Sequence, residues 1–162
     1  MKRISALALA FVLIAVPALA EEFKAGDITI DKAWARATPK GAEVGAGYLT
    51  IHNNGAAPDR LTGGSADFAT VEVHEMSMAG GVMKMRKLED GLAIPAHGSV
   101  TLAPSGYHLM FTGLKQPLVK GTVAKASLTF EHAGSIPIVF PVQGVGASGG
   151  GAKKDDMKGM KM

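Results

Sequence analysis

Between Asp27 and Val142 the sequence is cut into short runs in which apolar and β-branched residues alternate with polar ones. Gly, Pro or Asn separates one run from the next. Side chains of an extended chain alternate between two faces, so a period of two is the pattern of a half-buried strand. The runs are 27–36 (DITIDKAWAR), 45–53 (GAGYLTIHN), 68–78 (FATVEVHEMSM), 82–88 (VMKMRKL), 99–103, 106–112 (GYHLMFT), 122–131 and 135–142 (SIPIVFPV). No stretch carries the spacing of a convincing amphipathic helix. Many short strands joined by turn residues predict an all-β sandwich or barrel. Trp34, Tyr48, Leu49 and Ile51 fall where such a fold needs core side chains, and Gly55, Gly63 and Gly64 read as turn residues. No internal repeat is present.

The two ends differ from this pattern. Lys2 and Arg3 precede an apolar run over residues 4–16, and Ala18-Leu19-Ala20 follows as an A-x-A cleavage site. This is a secretory signal peptide cut after Ala20, too short and wrongly flanked for a membrane span. Past Val145 the chain becomes GASGGGAKKDDMKGMKM, which cannot bury enough apolar area to order itself. The expected organisation is a signal peptide over 1–20, a β-domain over 21–146 and a flexible tail over 147–162. The formal charge of +3 comes from these ends, since residues 21–152 sum to about −1. With no basic stripe and few aromatics, nucleic acid is not an expected partner. The chain has no cysteine, so it holds no disulfide, no thiolate metal site, no thiol nucleophile and no site for a lipid. A soluble exported protein, held together by its core alone, is the expectation.

The methionines are unevenly spread. Nine occur in all, and HEMSMAGGVMKM, residues 74–85, holds four of them beside a histidine. In a strand His74, Met76 and Met78 share one face, while Val71, Val73 and Glu75 take the other. Gly80-Gly81 signals a hairpin, because glycine supplies the positive φ that tight turns need. A two-residue loop there, or a four-residue loop over 79–82, sets Met78 opposite Met83 and Met76 opposite Met85. His74 is then diagonal to Met85. A three-residue loop would place Lys84 opposite Met76 and scatter the sulfurs. Downstream, His108 and Met110 share a face by the same period.

Methionine fills irregular cores well, but none occurs at 21–75 or 111–156, so it is not this chain's ordinary core filler. Its neighbours on these faces are histidines, and the segment between is polar and Gly-rich. Thioether and imidazole together suit a soft cation, Cu(I) above all. Zinc favours thiolate, imidazole and carboxylate, and a blue-copper centre needs a cysteine.

The order His74, ten residues, Met85, twenty-two residues, His108-Leu109-Met110 resembles the H-x10-M-x21/22-H-x-M motif of the periplasmic PCuAC copper chaperones. AWARAT (33–38), GAGYLTIHN (45–53), DRL (59–61), VEVHEMSM (71–78) and GLKQPL (113–118) extend the likeness over about residues 27–142. The resemblance implies a cupredoxin-like Greek-key β-barrel in the periplasm, monomeric, with one Cu(I) near its surface. It implies His74, Met85, His108 and Met110 as metal ligands, leaving Met76, Met78 and Met83 as secondary thioethers or rim residues. It further implies delivery to the CuA centre of cytochrome c oxidase subunit II, directly or with a Sco-type thiol protein. Some members of that family carry a tail rich in His and Met that binds a second copper, including Cu(II). Here the tail has Met157, Met160 and Met162 but no histidine, which leaves at most a thioether site for Cu(I).

Two other expectations compete. A copper-buffering or resistance protein would store metal without a delivery partner, and a purely structural β-domain would use the same residues as core. An enzyme is not expected: the sequence has no Ser/His/Asp order, phosphate loop or paired carboxylates at informative spacing. His52, His97 and His132 sit in or beside turns and are read as surface residues.

Overall fold

A computed structural model of the chain describes residues 21–149 and lays them out as eleven strands. They are β1 (Phe23–Ala25), β2 (Ile28–Arg36), β3 (Val44–Asn53), β4 (Asp59–Ala66), β5 (Ala69–Ala79), β6 (Val82–Lys87), β7 (Leu92–Ile94), β8 (Ser99–Leu102), β9 (Tyr107–Thr112), β10 (Val123–Phe130) and β11 (Gly134–Gln143). The signal-peptide segment and Met157, Met160 and Met162 lie outside the described residues. Among the described residues there is no helix long and apolar enough to cross a membrane.

Seven strands close on themselves in the order β2-β11-β10-β4-β5-β9-β3, with β3 returning to pair with β2. Neighbours that are distant in sequence, such as β10 with β4 and β3 with β9, give the barrel its Greek-key winding. All of these pairs are antiparallel except β11 with β2. The remaining strands extend the wall: β1 on β2, β8 on β3, β7 on β4 and β6 on β5. This is an all-β barrel, one of the two forms that the alternating runs predict, with the cupredoxin-like winding that the resemblance implies.

Inside it, each strand contributes every second residue. Val71 and Val73 from β5, Leu109 and Phe111 from β9, Leu49 and Ile51 from β3, and Ile136, Ile138 and Phe140 from β11 are all buried. Phe111 sits between Phe68 and Phe140, edge to face with both, at ring separations of 5.4 and 5.6 Å. Trp34 is buried as expected and stacks on Tyr48 at 4.4 Å.

Two glycines do not serve as sequence reading expects. Gly63 and Gly64 lie within β4, not in a turn. A Cβ at Gly64 would collide with the Ser127 carbonyl of β10, and Gly63 takes a φ of 146° where the β4–β10 register slips between Thr129 and Phe130. Glycine is needed there for close approach of two backbones and for a bulge.

β5 is long because it does two jobs. Residues 69–75 form barrel wall, bordered by β9 along one edge, while residues 74–79 pair with β6 in a projecting hairpin. The hairpin turns through Gly80-Gly81, both at positive φ (59° and 77°), closed by Ala79 opposite Val82. That two-residue loop sets Met78 opposite Met83 and Met76 opposite Met85.

Gly81→Val should unpick this end of the hairpin without unfolding the barrel. A β-branched side chain in the left-handed region costs roughly 1–2 kcal/mol, and all of β6 is exposed. Amide exchange at Ser77 and Lys84 should accelerate by about tenfold, with global melting little changed. Loss of the whole fold would mean that the hairpin is integral to the barrel.

Candidate metal centre

The outer face of the sheet formed by β3, β9, β5 and β6 collects the residues singled out in the sequence. On β9 the inward Leu109 and Phe111 alternate with the outward His108 and Met110. Although outward, these two remain 6% and 9% exposed. They lie in an open depression of about 420 Å³ whose wall also includes Met76 and Met85 from the hairpin, Arg36, Tyr48 and Pro104. Small residues make the hollow: Ala46 is paired with Met110, and Gly45 adjoins it.

His74 and His108 are opposite one another across β5 and β9, with ring centroids 5.9 Å apart. Their hydrogen bonds decide which ring nitrogen is free. The His74 Nε2–H donates to Glu72 Oε2 at 3.0 Å, because an ionised carboxylate can only accept. His74 Nδ1 is then left buried with no hydrogen-bond partner. His108 Nδ1–H donates to the Gly106 carbonyl at 3.2 Å, which leaves its Nε2 to carry the lone pair. A buried ring nitrogen without a partner is costly unless something takes its lone pair. A metal ion would do so, and the carboxylate behind His74 is the kind of support that orients a ligating imidazole.

Glu72 is the residue that sequence reading missed. Period two puts it on the His74 face, so its position was legible, but its partners were not. It bonds His74 on its own strand and Lys87 on β6 at 3.1 Å. Both interactions, the His74 hydrogen bond foremost and then Lys87, hold its carboxyl below the usual range. Glu72 thereby ties a partly buried imidazole to the strand that carries Met85. Burial pushes the His108 imidazole below its ordinary pKa; the Gly106 bond opposes this and the neighbouring His74 adds to it.

The depression brings together Met76, Met85, His108 and Met110, and His74 joins this set through His108, 5.9 Å away ring to ring, without lining the depression itself. Met85 sits at the rim and is 51% exposed. Met78 and Met83 form the next pair outward along the hairpin, 66% and 45% exposed. Glu75 points to the opposite face and pairs with Arg86 at 2.8 Å. His52 has no nitrogen to spare, with Nδ1 on Ser99 Oγ at 2.7 Å and Nε2 on Asp31 at 3.3 Å. Tyr48, expected as core, is buried and also forms part of the depression wall; burial raises its phenol, against the pull of nearby Arg36. Among the described residues no three His, Cys, Asp or Glu converge as a metal group. The donors present are neutral imidazoles and thioethers, which suit a soft monovalent cation and not a hard one.

Known proteins carry the same barrel. The chain is similar to the apo PCuAC domain of PmoF2, with a TM-score of 0.66 and 26% identity over 80% of this chain and 100% of that one. The copper-bound PCuAC domain of PmoF2 gives 0.64 and 30% identity, over 76% and 98% of the two chains. Cu(I)-loaded DR1885 of Deinococcus radiodurans gives 0.57 and 27%, over 78% and 81%. In sequence, a relative named "Putative lipoprotein" from Leifsonia xyli subsp. xyli is 30% identical over 121 residues, covering 74% of this chain and 72% of its own length. Residues 28–142, nearly the whole barrel, match the family described as "Putative lipoprotein LpqE-like", and the chain belongs to that LpqE-like family.

Proposed function

We propose that this protein is a periplasmic copper metallochaperone that carries one Cu(I) as cargo on His74, Met85, His108 and Met110. The observation that carries the reading is the pair of adjacent imidazoles, each fixed by Glu72 or Gly106 so that one ring nitrogen has no protein partner, with His108 lining one depression together with the thioethers. Its similarity to PCuAC domains, one of them copper-bound, supports the same reading. The acceptor is the CuA centre of cytochrome c oxidase subunit II, reached directly or alongside a Sco-type thiol protein. Four neutral donors hold Cu(I) without the charge of a thiolate site. Thiolates or imidazoles of the acceptor displace them one at a time, starting from the exposed Met85.

A second reading, copper buffering without a dedicated partner, draws on the exposed Met78–Met83 pair, which offers thioethers beyond those four. Stoichiometry and transfer separate the two. One tight Cu(I) per chain, passed on to the apo CuA domain of subunit II, is the outcome expected for a chaperone. Several equivalent Cu(I) ions, with none surrendered to that domain, would sink the delivery reading.

Glu72→Gln keeps the shape but weakens the acceptor behind His74. Cu(I) affinity should fall about tenfold, the usual cost of losing a ligand's supporting carboxylate. A competition titration measures it, and an unchanged affinity would detach Glu72 from the centre.

A further inference from the structure

We propose that Arg36 is a carboxylate-binding subsite on the wall of the copper depression, and that it captures an acidic group of the partner that takes the metal. The inference rests on the copper reading above and deepens it. Arg36 ends β2 and lines the same depression as Met76, Met85, His108 and Met110. Its guanidinium is held in place, with Nη2 donating to the Ala147 carbonyl at 2.7 Å and the group 5.7 Å from the centre of the Tyr48 ring. Yet its charge is unanswered. Among the described residues no carboxylate reaches ion-pair distance of Arg36, and its Nε is buried without any partner.

Of the β5 carboxylates on the hairpin side, Glu72 bonds His74 and Lys87, and Glu75 bonds Arg86. A cation with an orphaned donor is costly in a wall whose other side chains include Val44, Tyr48, Pro104 and three thioethers and no carboxylate. Low polarity there strengthens any ion pair that forms. A guanidinium is also the side chain best shaped for a carboxylate.

The cargo sharpens the case. Cu(I) on four neutral donors keeps its full charge, so the loaded depression carries two positive charges and, among the described residues that line it, no carboxylate. An entering carboxylate relieves both and holds the partner's donors beside Met85. In the exchange, one donor–copper bond forms as one thioether–copper bond breaks. Copper stays at +1, and no electron or proton moves.

Two Cu(I) chelators with one binding core test this on the full chain: bicinchoninate, a biquinoline dicarboxylate, and a biquinoline bearing uncharged hydroxymethyl groups. Stopped-flow transfer from the wild type to the dicarboxylate should be about tenfold faster than from Arg36→Gln, the range of electrostatic steering. Transfer to the uncharged chelator should not slow in Arg36→Gln by a comparable factor, and its equilibrium Cu(I) affinity should be no weaker than the wild type's. The wild-type rate to the dicarboxylate should fall steeply between about 20 and 500 mM NaCl, and that comparison needs no variant to fold.

Equal slowing with both chelators would make Arg36 a structural residue and overturn the proposal. So would a salt-independent wild-type rate, or faster transfer to the dicarboxylate from an Asp155→Asn, Asp156→Asn variant, which would show the tail already occupying Arg36. Failure of the wild type to hold Cu(I) is seen separately in the affinity measurement, and would remove the copper reading along with the subsite.

Discussion

His108→Ala should lower Cu(I) affinity by a hundredfold or more while leaving the apo barrel folded. Supporting partners of a ligand are worth roughly 10–100-fold, and loss of a buried ligand falls at or beyond the top of that range. His108 is almost fully buried, it meets His74 across one strand pair, and its free nitrogen has no substitute on β9. The fold should tolerate the change, because the side chain is on the outer face and its one hydrogen bond goes to a neighbouring turn carbonyl. Met85→Ala should cost least of the four proposed ligands, since Met76 is directly opposite and Met83 lies two residues away on the same face. If His108→Ala bound Cu(I) like the wild type, or if Met85→Ala were the most damaging of the four, the assignment would be wrong.

The pH dependence of the same site follows from burial. His108 titrates below its ordinary value of 6.5 because burial disfavours the imidazolium. The unfolded chain therefore takes up the proton first. Stability from this group is complete above 6.5 and is lost as pH falls from there through the lowered folded value. For Cu(I), a depressed imidazole pKa means that protons displace the metal from His108 only at lower pH than from an ordinary histidine. Affinity should fall as the solution is acidified, and an affinity that never falls with acidification while the barrel stays folded would remove imidazole from the site.

The hairpin was legible because every signal in it is local. Alternation gives the faces of β5 and β6, and Gly80-Gly81 gives a two-residue turn, so the pairing of Met76 with Met85 needs no knowledge of the rest of the chain. β4 was not legible. DRLTGGSA is poor in β-branched residues, and its glycines are required by the Ser127 carbonyl of a strand sixty residues away in sequence. β1 and β7, three residues each, are held only by the strands they join. The same division runs through the site. Which residues share a face was readable for His74, Met76, His108 and Met110. That β9 and β5 are neighbours, so that the two histidines meet, is a property of the barrel's winding. His74 takes its partner, Glu72, from its own strand, but the orphaned Nε of Arg36 depends on the packing of other strands and loops, which no single stretch of sequence displays.

Phe111→Ala should be the most damaging single change to stability, and it separates the core from the metal centre on one strand. Phe111 is fully buried between Phe68 and Phe140, and Gly47 leaves room for its ring: a Cβ there would lie 2.8 Å from Phe111 Cζ. Truncation should cost about 3–5 kcal/mol through lost transfer energy and the cavity left behind. For a domain of this size that is a fall in Tm of roughly 15 °C. Yet Phe111 faces inward while His108 and Met110, its neighbours at alternate positions, face the depression. Cu(I) should therefore still bind the folded variant and raise its Tm, by about 4 kcal/mol of stability at a thousandfold excess over Kd. His108→Ala should show the reverse, a nearly normal apo Tm with little rise on adding Cu(I). Calorimetry of the two variants, with and without metal, reads all four values. A Phe111→Ala protein that lost less than about 1 kcal/mol would mean that β9 does not carry the core as described. One that folded but no longer gained stability from Cu(I) would mean that core and metal centre are not separable along this strand.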